Sequence, residues 1–381
     1  MSNKDFSAAD LSRPALSTYA AVAASTFICV MLVGLWQMIA VARNPAQLEF
    51  PRTWLDFREG RTTGTFEKQL DHKLPARTTI IATANSLRYL LTRGGGEQVR
   101  VGNDGWLFLT DELRFDTDGS AHLAARANLF AGAARGLDSQ GVKLIVALVP
   151  DKARVYSGKL SGGDYPAYNL SRYRDALAEL RKYNVTVVDL LTPLAAGASQ
   201  GQVYYSSDTH WNQSGAQIAA EAVAVDVRKL GVALEKTTFA TAATGPKTER
   251  PGDLIRLMGL GDTPNALRPP SDVEIPMVTK QTSFDASAGL FGDASVPVAL
   301  TGTSYSLRGN FHGFLQQALS AKVLNTAKDG GGLLQAPTAY LMDDAFKSSR
   351  PKVLVWEVPE RFLYTKLDDE PKWLKKVGFL P

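Results

Sequence analysis

The stretch VKLIVALVPDK, Val142 to Lys152, carries no polar side chain between Leu144 and Pro150 and is rich in branched aliphatics. Strict alternation would mark a strand with one wet face. A continuous apolar run of this length instead marks a strand covered on both faces, as in a parallel sheet sandwiched by helices. The pattern repeats on either side. Upstream, VRVGNDGWLFLTDE (Val99–Glu112) reads as a hairpin turning at Asn103-Asp104-Gly105. Downstream come a helix around Ser171–Tyr183, the strand VTVVDL (Val185–Leu190), and the Ala-rich helix SGAQIAAEAVAVDVRKLG ending at Gly231. A Pro/Thr/Gly-rich insertion occupies about 235–294. Alternation then resumes with VPVALTGTS, a helix through FHGFLQQALSA, the strand KVLN, a Gly-rich loop, a helix, and the strand KVLVWEVP. Strands alternating with helices predict a three-layer α/β sandwich with a mostly parallel sheet.

The 381 residues suffice for one large α/β domain with an appendage. A net charge of +4 without a basic run gives no footprint for nucleic acid. YAAVAASTFICVMLVGLWQMIAVA (Tyr19–Ala42) has no charged side chain and is long enough to cross a bilayer as a helix. Ala40–Ala42 resembles a signal-peptidase site, so removal is one reading; the length of the run and the polar tail before it favour an uncleaved signal-anchor. Lys4 and Arg13 precede the span and Arg43 and Arg52 follow it, so charge leaves orientation open. The short tail predicts the N-terminus inside and the large domain outside the cytoplasm. The expected organisation is a cytoplasmic tail (1–18), a transmembrane signal-anchor (19–42), a stalk (43–95) with a helix over Arg77–Thr92, and the main domain (96–381). The only cysteine, Cys29, lies in the span, and no His/carboxylate run has metal-ligand spacing. No metal or cofactor is expected.

In a parallel sheet, reactive groups gather where strands end and helices begin. The strand Val296–Leu300 ends at Thr301, Gly302 permits a tight turn, and Ser304 follows. There a serine can expose Oγ; equally, Ser304 or Ser306 is a good helix N-cap. A hydroxyl nucleophile needs a base, and the base needs an orienting acid. DTHWNQSG (Asp208–Gly215) offers both in Asp208 and His210, although a turn feeding an N-cap explains the same run. VLNTAKDGGG adds Asn325 and a loop opened at Gly330, whose backbone N–H could approach an oxyanion, although Gly-rich loops are common without that role.

These blocks carry a resemblance. D-x-H-x-N-x-x-G before an amphipathic helix resembles the Asp/His block of SGNH-type esterases, GTSYS their nucleophile block, and N-x-x-x-x-G their oxyanion-glycine block. Together with GNDGWLFL (Gly102–Leu109), VPDKARVY (Val149–Tyr156) and VLVWEVPERF (Val353–Phe362), the order over residues 99–364 resembles the alginate O-acetyltransferase family of the AlgJ/AlgX type. The Asp/His block precedes the Ser block, so motif order is circularly permuted relative to ordinary SGNH enzymes. Asp208 and His210 are separated by one residue rather than the usual two, as in this family. WEVPER stands where other SGNH enzymes place an oxyanion Asn, so no side-chain oxyanion donor is named. The chain runs only briefly past that block, which predicts the AlgJ type without a carbohydrate-binding module.

The resemblance implies an O-acetyltransferase of the bacterial inner membrane with its catalytic domain in the periplasm. Ser304 would be the nucleophile, His210 the general base and acid, and Asp208 its orienting partner. Gly330, Tyr305, Arg308 and Asn310 are candidates for oxyanion or substrate contact. The acceptor would be an exopolysaccharide, alginate-like or cellulose, and a polytopic membrane-bound O-acyltransferase would supply acetyl. A deacetylase or esterase with the same triad and a non-catalytic glycan-binding scaffold are the alternatives. Trp106, Trp211 and Trp356 are read as packing residues and His312 as a surface or supporting residue.

Overall fold

The computed structural model describes residues 13–43, 53–62, 64–65, 77–162, 165–234, 236–282, 296–366 and 370–379. The tail before residue 13 and much of the expected stalk lie outside them. The chain divides into two compact units, Met1–Ala84 and Asn85–Pro381. The first contains α1 (Arg13–Ala42), a 30-residue helix whose segment Tyr19–Gln37 has the length and composition to cross a membrane. Phe27, Leu32 and Trp36 on it are exposed, as lipid-facing side chains would be. A signal sequence meets the same test. Helices of two turns or longer are numbered here; α2 (Arg77–Thr92) has the bounds expected of it.

The second unit is built on a five-stranded sheet of order β10-β9-β11-β3-β4. Its strands are β3 (Lys143–Val149), β4 (Val187–Asp189), β9 (Val298–Thr301), β10 (Val323–Asn325) and β11 (Val353–Pro359). Every pairing in it is parallel. The β3 run reads as anticipated, because successive side chains point to opposite faces and both are roofed. Leu144, Val146 and Leu148 enter one core, with α3 (Gly119–Asp138), α4 (Arg172–Lys182) and α8 (Gln335–Met342). Ile145, Ala147 and Val149 enter the other, with α5 (Leu191–Ala198), α6 (Gln213–Lys229) and α7 (Phe311–Leu319). Burying each such aliphatic side chain contributes about 1.5–3 kcal/mol. Fully buried Ala216, Ala219, Ala220 and Ala224 give α6 a smooth face that lets α7 pack closely.

β1 (Val99–Val101) and β2 (Leu107–Leu109) form the expected antiparallel hairpin, with Asp104 in the left-handed region at φ 55°. The insertion is more ordered than its composition suggested. β5 (Phe239–Ala243) pairs with β8 (Met277–Gln281), and β6 (Thr248–Arg250) pairs with β7 (Asp272–Glu274), both antiparallel. Residues 283–295 lie outside the described residues.

Candidate active site

The serine turn is shaped from beneath. β9 ends at Thr301, and a side chain at Gly302 (φ 149°) would meet the Glu357 carbonyl oxygen at 2.6 Å, so glycine is required. Ser304 then opens a 3₁₀ turn, Ser304–Leu307. The Glu357 carboxylate, fully buried on β11, accepts the Thr303 N–H at 2.8 Å, the Thr303 hydroxyl at 3.0 Å and the Ser306 hydroxyl at 3.1 Å. Burial raises the Glu357 carboxyl above its ordinary range, and these donors oppose the rise. Asn325 on β10 donates to the Ser306 carbonyl at 3.0 Å. Ser306 is thereby a brace of the turn and Ser304 its outward member, half-buried.

The Asp/His loop is a tight hairpin closed by the Tyr204–Trp211 bridge. Asn212 does cap α6, accepting the Gly215 N–H at 3.0 Å. Gly215 is obligatory, since a Cβ there would lie 2.0 Å from the Val203 carbonyl oxygen. The turn-and-cap reading of DTHWNQSG is therefore correct for Asn212, and the same turn aims His210 elsewhere. Its Nε2 lies 2.7 Å from Ser304 Oγ, and its Nδ1 lies 2.5 Å from Asp208 Oδ1. Asp208 also accepts the His210 N–H at 3.0 Å and the Asp253 N–H at 3.1 Å. Burial alone would raise the Asp208 carboxyl; the hydrogen bond and charge of His210, with Arg250 at 3.5 Å, hold it well below the usual carboxylate range. A carboxylate at Nδ1 fixes the proton there and leaves Nε2 to accept from Ser304.

Two further layers hold this loop. Lys152, fully buried just past β3, donates to the carbonyls of Tyr205, Ser206 and Asp208 at 3.1, 3.2 and 2.7 Å. Its ammonium faces the Trp106 and Phe108 rings at 5.7 and 5.3 Å. Burial lowers its pKa to about 8, against the opposing pull of Glu112 and Asp208. From the insertion, Asp272 accepts the N–H groups of Ser206 and Ser207, and Asp253 accepts that of Thr209.

The remaining candidates divide. Tyr305 is fully buried; its hydroxyl donates to the Thr209 carbonyl at 2.8 Å, its N–H to Thr303 Oγ1, and its ring stands 4.8 Å from that of His210. Its N–H and hydroxyl are thus both engaged within the protein, and its ring packs against the histidine. Asn310, at φ 59°, donates to Thr279 Oγ1 at 2.9 Å and so ties α7 to the insertion. Arg308 pairs with Asp329 at 2.6 Å. Gly330 (φ 66°) is exposed, with open space where a Cβ would stand. Its loop returns to the serine turn through the Lys328 N–H, 3.2 Å from the Gly302 carbonyl oxygen. His312 lies 2.7 Å from the Val323 carbonyl oxygen, a structural contact. Trp211 and Trp356 are fully buried and Trp106 nearly so. Among the described residues, two groups have carboxylates and a histidine close enough to share a cation, Asp208/His210/Asp253 and Asp116/Asp118/His122. No sequence spacing announced either; in the first, the contact of His210 with Asp208 already accounts for the approach.

A family profile described as "SGNH hydrolase-like domain, acetyltransferase AlgX" matches residues 99–360. The chain belongs to this SGNH-like acetyltransferase family. It is 32% identical over 356 residues to the probable alginate O-acetylase AlgJ of Pseudomonas syringae pv. tomato, covering 91% of this chain and 90% of that one. The O-acetyltransferase domain of Pseudomonas putida AlgJ superposes with a TM-score of 0.65 at 35% identity, covering 73% of this chain and 98% of that domain. Pseudomonas aeruginosa AlgX shares the fold, with a TM-score of 0.54 at 24% identity over 74% of this chain and 66% of that one. The three-layer fold is thus the SGNH-like fold, with the acid and histidine ahead of the serine. Sequence reasoning about this SGNH-like domain missed Lys152, Glu357, Arg250, Asp253 and Asp272. For the first two a signal was present: a charge in or beside an otherwise apolar buried strand, which the fold must pair.

Proposed function

We propose that this acetyltransferase moves acetyl groups onto hydroxyls of an exopolysaccharide through an acetyl-Ser304 intermediate, alginate being the acceptor that the relatives' names point to. The observation that carries the reading is the unbroken Asp208–His210–Ser304 relay, with contacts of 2.5 and 2.7 Å. His210 Nε2 takes the Ser304 proton as Oγ attacks the acetyl carbonyl. The same nitrogen returns that proton to the departing oxygen of the donor. In the second half, His210 takes a proton from the sugar hydroxyl, which attacks the acetyl-serine, and Ser304 leaves as its hydroxyl. The Ser304 N–H, at the head of its turn, and the Gly330 loop are the proposed oxyanion donors.

The candidate span at Tyr19–Gln37 supports an anchored protein whose domain lies in the periplasm, supplied with acetyl by a polytopic membrane-bound acyltransferase. An esterase would share the first half-reaction and differ in admitting water to the second. Ser304→Ala tests both: loss of turnover of an activated acetyl ester by orders of magnitude is expected. Mass spectrometry of wild-type protein should find acetyl on Ser304 and then on added oligosaccharide. Retained turnover in Ser304→Ala refutes the enzyme as drawn, and rapid hydrolysis without acetylated sugar favours the esterase.

A further inference from the structure

Phe115 and Tyr168 are the exposed aromatic side chains among the described residues of the unit Asn85–Pro381, at 62% and 48% exposure, and they touch each other. Their rings meet edge to face with centroids 5.0 Å apart. Leaving aromatic surface in water is unfavourable, and an exposed pair in contact is the usual mark of a binding surface.

The pair is built rigidly. Tyr168 donates its hydroxyl to the Leu113 carbonyl. The next residues are pinned from below by Arg154, which donates to the carbonyls of Asn169 and Leu170 at 2.6 and 3.0 Å and pairs with buried Glu360 just beyond β11. Asn169 in turn donates to the Glu112 carbonyl at 3.0 Å. These anchors stand at the carboxyl ends of β3 and β11, the end of the sheet at which Ser304 follows β9.

Beside Tyr168 lies a cavity of about 250 Å³ between the β1–β2 hairpin and residues 157–162 and 165–168, lined by Arg100, Leu113, Leu160, Ser161, Pro166 and Tyr168. Among the described residues lining it Arg100 is the only charged one; it is exposed and makes no ion pair among them. Ser161 donates to the Val101 carbonyl at 2.6 Å, which holds the two walls together. The hairpin reaches the Asp/His loop directly, Leu107 N–H donating to the Ser206 carbonyl at 2.9 Å. Cavity and relay therefore share one frame.

An aromatic wall, a small apolar floor and one unneutralised guanidinium match a pyranose ring bearing a carboxylate. The ring's C–H face covers the tyrosine, and its carboxylate meets Arg100. We propose that this cavity is a subsite for a uronate unit of the acceptor chain, remote from the unit acetylated at Ser304. The proposal deepens the function given above and rests on that reading for the identity of the acceptor.

The test uses full-length protein in detergent with an oligouronate of defined length, and a cello-oligosaccharide of equal length as the neutral control. Tyr168→Ala and Arg100→Gln should each raise KM for transfer to the oligouronate by about tenfold. Both should leave hydrolysis of p-nitrophenyl acetate at the wild-type rate. In Ser304→Ala protein, direct binding of the oligouronate should weaken by the same factor when either change is added. Unchanged KM and binding in both variants overturn the subsite. Equal weakening for both oligosaccharides in Arg100→Gln overturns its selection of carboxylates. If wild-type protein turns over no ester yet Tyr168→Ala and Arg100→Gln weaken oligouronate binding, the catalytic reading fails and the subsite stands.

Discussion

The Lys152 ammonium donates to the main-chain carbonyl of Asp208 at 2.7 Å, so β3 reaches the acid of the relay through one buried side chain. The contact costs the protein something, because burial lowers the pKa of this lysine to about 8. That cost is accepted where it fixes the loop on which the acid and histidine stand.

Lys152→Met should therefore lower kcat at least tenfold with little change in KM, because carbonyls left without a donor let the loop shift, each costing about 1–3 kcal/mol. Stability carries a pH signature. With a folded pKa of about 8 against an ordinary 10.5, the folded chain binds fewer protons between those values, so the lysine's contribution improves as pH rises through that window. Thermal melts from pH 7 to 10 should show the wild-type advantage over Lys152→Met growing with pH; a constant difference would contradict the burial argument.

Asp208 has a linkage of the same sign in a lower pH window, there favouring the charged form. Its carboxyl is depressed in the folded chain, so its contribution is fully present above the ordinary value of 3.8 and is lost as pH falls toward the folded value. Urea titrations should show wild type losing stability below pH 4 more steeply than Asp208→Asn. At neutral pH, Asp208→Asn should reduce kcat on the order of 10³–10⁴-fold by releasing the histidine tautomer.

Glu357 should separate shape from charge. Glu357→Gln retains an oxygen for the Thr303 N–H and should keep activity within about tenfold. Glu357→Ala strands that donor and two hydroxyls, at about 1–3 kcal/mol each, and should lose most turnover. Parallel kcat measurements and thermal melts on the two variants check this.

Gly252→Ala probes how the insertion meets the acid. A Cβ there would lie 1.9 Å from the Ser207 carbonyl oxygen, so the neighbouring Asp253 N–H must withdraw from Asp208. kcat should fall more than about tenfold while the sheet stays folded by circular dichroism, since overpacking costs about 1–3 kcal/mol, below a typical domain's stability.

The sheet was legible because its signals are local: an apolar run at Leu144–Pro150, a turn at Asn103–Gly105, and Ala-rich periodicity after Asn212. The placing of Asp208, His210 and Ser304 in one cluster followed from motif order. The layer behind them was not legible, for two reasons. Asp253 contributes to Asp208 through its backbone N–H, which no side-chain pattern reveals. β5–β8 are short and none of their residues is fully buried; their half-buried positions include Asp272, Glu274, Thr279 and Gln281, so no apolar period marks them as strands. The inward orientation of Tyr305 was not legible either: nothing in GTSYS says that its ring lies against His210.

The position of β11 has a consequence for how the protein comes into being. It pairs with β3 along residues 353–359 and with β9 on its other side, so without it the sheet falls into two fragments, β10–β9 and β3–β4. The strand that joins the serine half to the half roofing the histidine loop is the last of the sheet to leave the ribosome. Until it is in place, the serine turn and the histidine loop meet through α7 against α6 and through the Tyr305 bond to the Thr209 carbonyl, without the sheet beneath them.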